Sequence, residues 1–207
     1  MKKLESSLTN MVLVLTGVAL IMGAILAWVN SVTAAPIAQQ KEKTLADGIK
    51  AVMGTDGLTV SKTDTVRQND AKGKELTFII YQTQDAQGND LGAAVESTTL
   101  GFGGNLKVLV GFNPNGDILG YTLLEHAETP GLGAKADQWF QKGQKGDIVG
   151  KNPDNPLTVS KDGGQVDAIT ASTITSRAFL LAVNNAYSAY KATPVNDAET
   201  GASKLVK

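Results

Sequence analysis

The sequence predicts an α+β protein in which a single N-terminal transmembrane helix is followed by an antiparallel sheet with flanking helices. Three observations predict it. Residues 11–29, MVLVLTGVALIMGAILAWV, run nineteen positions without a charge, and at about 1.5 Å of rise per residue such a helix covers roughly 28 Å, close to the hydrocarbon thickness of a bilayer. Four β-branched or aromatic-bearing runs then follow one another through short separators rich in Asn, Asp and Gly. Turns of that kind join antiparallel neighbours, whereas parallel neighbours need crossovers of about a dozen residues or more. Finally, Phe179, Val183 and Tyr187 recur at i, i+4 and i+8 in TSRAFLLAVNNAYSAYK (175–191), the spacing of one helix face.

Lys2 and Lys3 precede the apolar span and Trp28 stands near its far end, where an indole keeps its N–H among headgroups. The positive-inside rule therefore puts residues 1–10 in the cytoplasm and the rest of the chain across the membrane, a bias that Lys41 and Lys43 weaken. The competing expectation is a cleaved signal peptide, because VTAAP (32–36) offers small residues for processing. A signal's apolar core runs about 7 to 15 residues, shorter than 11–29, so an uncleaved anchor is expected. Gly17 and Gly23 leave room for a neighbouring helix, although their spacing is not GxxxG. Residues 30–43, polar and containing Pro36, read as a juxtamembrane connector, and TLADGIKAVM (44–53) as a short helix.

The expected strands are KELTFIIYQTQ (74–84), LGAAVESTTL (91–100), LKVLVGF (106–112) and ILGYTLLEH (118–126), with DAQGND and NPNGD as turns. GFGG (101–104) fits neither GxGxxG nor GxxxxGK[ST] and reads as a bulge or turn. AKADQWFQK (134–142) reads as a short helix burying Trp139 and Phe140, and 193–207 as a C-terminal tail.

Composition narrows the chemistry. Nineteen basic against twenty acidic residues leave a formal charge of -1, without the cationic excess that neutralises nucleic-acid phosphates. No cysteine is present, which excludes thiolate iron–sulfur ligation and CxxCH haem attachment, and one histidine, His126, cannot build a multi-histidine metal site. No metal is expected. Any redox cofactor has to be organic.

DAITASTITS (167–176) packs Thr170, Ser172, Thr173, Thr175 and Ser176 into ten positions just ahead of the apolar helix. Such residues cap helices by accepting from unpaired N–H groups. A helix N-terminus with exposed N–H groups is equally a place for an anion such as a phosphate. From the residues alone both readings stand.

Two stretches carry a family resemblance. Asp167, Thr170, Ala171, Ser172 and Thr173 resemble the flavinylation motif Asp-x-x-[Ser/Thr]-[Gly/Ala]-[Ala/Ser]-Thr, and HAETPGLGAKAD (126–137) resembles the His-x-Glu-Thr-Pro-Gly-Leu-Gly segment of the same flavin-binding domain. The preceding VLVGFNPNGDILGYTLLEH resembles that domain's strand, turn and strand. The families are the G subunit of the Rnf electron-transport complex, which this compact chain resembles more, and the related C subunit of the sodium-pumping NADH:quinone reductase. In them the commonest motif reads Ser-Gly-Ala-Thr, from which Ala171 and Ser172 depart.

The resemblance implies an FMN-binding domain over 44–192 and FMN attached by a flavin transferase through a phosphoester to Thr173. Thr170, Ser172, Thr175, Ser176 and Asp167 would surround the attachment, and Glu128, Thr129, Gly131 and Leu132 would lie against the ring. Pro130 restricts Thr129 to extended geometry, and Gly131 and Gly133 allow backbone to approach a flat ring. The implied protein is a single-pass subunit of the bacterial inner (cytoplasmic) membrane with its C-terminal domain on the periplasmic side. It carries electrons in a complex that links ferredoxin and NAD to Na+ or H+ translocation, has no catalytic residue, and has no turnover of its own. Two alternatives from other classes are an anchored flavoenzyme acting on a small periplasmic substrate and a non-flavin assembly module.

Overall fold

The computed structural model describes residues 7–69 and 73–191. Lys2 and Lys3 and the tail 193–207 lie outside the described residues. The chain divides into two units, Met1–Thr44 and Leu45–Lys207.

The first unit holds most of helix α1 (Leu8–Met53), which is long and apolar enough to cross a membrane and buries none of its apolar window. The stretch 30–43, read from sequence as a connector, is helical with Pro36 inside the helix. Proline there removes one N–H donor and opposes the carbonyl of Val32. Its surroundings explain why the helix continues: AAPIAQQKEK is otherwise made largely of strong helix formers. Just upstream, Ser31 Oγ donates to the Trp28 carbonyl at 2.7 Å and Thr33 Oγ1 to the Val29 carbonyl at 2.9 Å.

The second unit is built on one antiparallel meander, β1 (Thr59–Asn69), β2 (Glu75–Gln84), β3 (Asp90–Leu100), β4 (Asn105–Phe112) and β5 (Ile118–His126), with the strands side by side in chain order. The four expected strands are present to within a residue at each end. Their turns work as the sequence implies: the Asp85 carboxylate accepts from the Gln87 and Asn89 N–H groups at 2.8 Å each, and Asn113 Oδ1 accepts from Asp117 N–H at 2.9 Å. GFGG is the β3–β4 turn, closed by a 2.8 Å bond from Gly101 N–H to the Gly104 carbonyl. β1 has no counterpart among the strands that the sequence predicts. It is a mostly exposed edge strand whose Lys62, Asp64 and Arg67 interrupt any apolar run, and charges of that kind protect an edge from further pairing.

Successive strand residues point to opposite faces, and the two faces are covered differently. One packs Phe78, Val95, Val108, Val110 and Tyr121 against helix α3 (Thr173–Tyr190), whose Phe179 and Val183 are fully buried and whose Tyr187 is nearly so. The other packs Tyr81, Ala94 and Leu109 against Ile49, Val52 and Met53, the last part of α1. Between β5 and α3 the chain makes a 3-10 turn (Gly133–Lys135), the one-turn helix α2 (Ala136–Trp139), and a second 3-10 turn (Ser160–Asp162). α2 is seated by Tyr121, whose hydroxyl donates to the Ala136 carbonyl at 2.6 Å and accepts from Phe140 N–H at 3.2 Å, and by Phe140 stacking on Phe179 with centroids 4.2 Å apart. Phe140 is buried as expected. Trp139 is only half-buried, because its indole N–H reaches out to the Asp167 carbonyl at 2.8 Å.

Candidate functional site

The hydroxyl-rich stretch lies where the chain enters α3, and its side chains divide by direction. Thr175 and Ser176 are buried and point inward. Thr175 Oγ1 donates to Glu128 Oε2 at 2.7 Å; Ser176 Oγ donates to the Ser172 carbonyl and accepts from Ile169 N–H, both at 2.9 Å. Ser176 therefore fastens the preceding loop to the helix. Thr170 and Asp167 are exposed, and Thr173, the first residue of α3, is half-exposed.

Capping accounts for little of this. Ser172 occupies the N-cap position, yet its side chain makes no capping hydrogen bond. Ala171, immediately before it, holds φ +60°, the one left-handed backbone among the described non-glycine residues. A Cβ costs about 1–2 kcal/mol in that region. This position is the one at which the resembled motif commonly has glycine.

The hydroxyl of Thr173 accepts a 3.1 Å hydrogen bond from Lys161 Nζ. Lys161 comes from the 3-10 turn Ser160–Asp162, which is held beside α3 by its neighbours. Asp162 pairs with Arg177 through two 2.7 Å bonds, to Nε and Nη2, and Ser160 Oγ donates to Asp167 Oδ1 at 3.0 Å. The Arg177 guanidinium holds the Asp162 carboxyl below its ordinary range, chiefly through those hydrogen bonds. Sequence reasoning missed Lys161, since a lysine in KDGG looks like any solvated loop charge and its partner is twelve residues away.

Glu128 is buried, and its carboxyl joins three segments. Oε2 accepts from Thr175 and Oε1 from Gly103 N–H at 3.2 Å, while Glu128's own N–H donates to His126 Nδ1 at 3.3 Å. A side chain at Gly101 would run into Oε1, and one at Gly133 into Oε2 and Thr175 Oγ1. These two glycines let the β3–β4 turn and the loop after β5 close around one acidic group. In the same loop the Thr129 carbonyl accepts from Leu132 and Ala134 N–H groups at 3.2 Å each. Thr129, Gly131 and Leu132 are exposed, and Gly131 has φ +75° with open space where a Cβ would stand. Phe102, at the tip of the β3–β4 turn, is also exposed.

The ten residues singled out from sequence thus form two sets that meet at the Thr175–Glu128 bond. Thr173, Thr170, Ser172 and Asp167 lie at the start of α3, and Thr129, Gly131 and Leu132 on the loop that Glu128 anchors. Among the described residues there is no group of three or more His, Cys, Asp or Glu side chains that could hold a metal ion.

Known proteins are similar to this chain over most of its length. Residues 101–188 match the family model for the FMN-binding domain, from the glycine turn against Glu128 to the last turn of α3. The G subunit of the ion-translocating oxidoreductase complex from Shewanella baltica (strain OS223) is 34% identical over 176 residues, covering 81% of this chain and 82% of that one. The protein of the same name from Vibrio cholerae serotype O1 (strain M66-2) is 34% identical over 181 residues, 84% of this chain and 86% of its own. That of Aliivibrio fischeri (strain MJ11) is 39% identical over 131 residues, 61% of each. A membrane-length helix, an FMN-binding domain and identity at this level across most of both chains together establish that the chain belongs to the G-subunit family of ion-translocating oxidoreductase complexes.

Proposed function

We propose that this chain is the flavin-carrying electron-transfer subunit of a membrane-bound, Rnf-type ferredoxin:NAD oxidoreductase complex that moves Na+ or H+, with FMN linked by a phosphoester to Thr173. The flavin transferase is its maturation partner and the other complex subunits its working partners. The observation that carries the reading is the contrast among the hydroxyls: Thr175 and Ser176 are bonded into the interior, whereas Thr173 is half-exposed at the first position of α3 beside an ammonium group.

The residues present suit such a group. A phosphate esterified to both flavin and threonine keeps one negative charge, and the start of an α-helix with its dipole and unpaired N–H groups, together with Lys161, is a donor set for that charge. FMN supplies the capacity to accept and donate single electrons. The protein's part is positional. Glu128 fixes the loop bearing Thr129, Gly131 and Leu132 against α3, Ser176 fixes the approach to Thr173, and Leu132 offers apolar surface for the ring. No general acid or base is needed.

The domain that follows α1 faces the periplasm, by the positive charges at the N-terminus and the uncharged span 11–29. Protease added to intact spheroplasts then digests the domain and leaves cytoplasmic proteins whole. Membranes from cells carrying Thr173→Ala are expected to keep the complex assembled and to lose electron transfer between ferredoxin and NAD. Undiminished transfer in that variant would refute the role of electron carrier.

A further inference from the structure

We propose that Lys161 is the counter-cation of the flavin phosphate, a positioning residue that holds the phosphoester group at the start of α3. The inference rests on FMN being linked at Thr173 and goes beyond it by assigning the charge partner.

Three observations lead to it. Lys161 Nζ stands 3.1 Å from Thr173 Oγ1, the atom that would become the ester oxygen. Any phosphorus bonded to that oxygen brings its free oxygens within reach of the same ammonium, which has three donors on a flexible stem. Arg177, one turn further along α3 and the obvious rival, has its guanidinium committed to both carboxylate oxygens of Asp162 at 2.7 Å.

The third observation is that Lys161 is not placed by its own side chain alone. The residue after it, Asp162, is locked to α3 by that bidentate pair, and the residue before it, Ser160, is bonded to Asp167 of the motif stretch. The 3-10 turn Ser160–Asp162 is therefore registered on α3 and on the motif at once. Lys161, between the two anchors, is presented to Thr173. The charged side chains bonded in this small cluster are Asp162, Arg177 and Asp167. Asp162 is already neutralised by Arg177, and the Asp167 carboxyl accepts from Ser160.

The test uses the full-length chain in detergent, made with the flavin transferase, as wild type, Lys161→Gln and Lys161→Arg. Intact mass first establishes the flavin adduct, and 31P NMR of the loaded proteins at neutral pH then gives the position of the phosphate resonance. Lys161→Arg should keep the wild-type resonance position because arginine also carries a positive charge, and Lys161→Gln should shift it. All three proteins should melt alike, since the side chain is exposed.

A wild-type protein that carries the adduct but shows the same 31P resonance position as Lys161→Gln would overturn the assignment of Lys161 and leave the covalent linkage standing. A wild-type protein with no adduct, or with one away from Thr173, would overturn both.

Discussion

Thr173 and Thr175 are two residues apart on one helix and carry the same side chain, yet the fold gives them opposite surroundings. Thr175 is sealed inside, donating to a buried carboxyl that joins two loops; Thr173 is half in solvent, accepting from an exposed lysine. The difference follows from helical rotation, because neighbours two apart face different directions and only one can face the Glu128 loop. A hydroxyl's chemistry here is decided by which side of α3 it occupies. The inner hydroxyl ties α3 to the Glu128 loop, and the outer one stays half-exposed beside Lys161.

That contrast can be broken from the inside with the largest effect. Glu128→Ala strands the Thr175 hydroxyl in the interior and frees the exposed Gly103 N–H to water, and an unpaired buried donor costs about 1–3 kcal/mol. We expect a loss of about 1–3 kcal/mol in denaturant unfolding, with Glu128→Gln recovering part of it by keeping one acceptor oxygen. Equal stability of Glu128→Ala and wild type would mean that the carboxyl is not the joint between the loops.

Much of this arrangement is legible in the sequence, for physical reasons that differ by element. β2 to β5 announce themselves through alternating side chains and turns such as DAQGND, whose local hydrogen bonds owe nothing to the rest of the fold. β1 does not, since Lys62, Asp64 and Arg67 give it the composition of a loop and only pairing with β2 makes it a strand. Polarity and Pro36 point to a connector at 30–43, while the helix formers around the proline keep that stretch helical. At the site, Thr173 is marked by a local motif. Its lysine partner and the Thr175–Glu128 bond are separated by 12 and 47 positions. No local pattern encodes those pairs, because they exist only once α3 lies along the sheet.

The outer side should be sharpened by a smaller change. Ala171 holds a left-handed backbone at φ +60° at the entrance to α3, so Ala171→Gly should stabilise the protein by about 1 kcal/mol in thermal or denaturant unfolding. A destabilised Ala171→Gly protein would show that the strain is absent or outweighed by unfolded-state entropy.

A still smaller effect concerns the turn that carries Lys161. The Asp162 carboxyl is held below its ordinary value of 3.8 by Arg177, so its contribution to stability is full above that value and is lost as pH falls through the lower folded-state value. Asp162→Asn should therefore flatten part of the decline in melting temperature between about pH 5 and pH 2. An acid profile unchanged by the substitution would deny that the pair holds the turn to the helix.

The central claim is tested most directly by intact mass and peptide mapping of the full-length chain made with the flavin transferase. Wild type should gain the mass of one FMN less one water, mapped to Thr173. Thr173→Ala should lose the adduct while unfolding within about 0.5 kcal/mol of wild type, as expected of a substitution away from the core. Any adduct that Thr170→Ala and Thr175→Ala retain should map to Thr173. An adduct that survives in Thr173→Ala, or a wild-type chain that never acquires flavin, would contradict the assignment of the outward hydroxyl as the point of attachment.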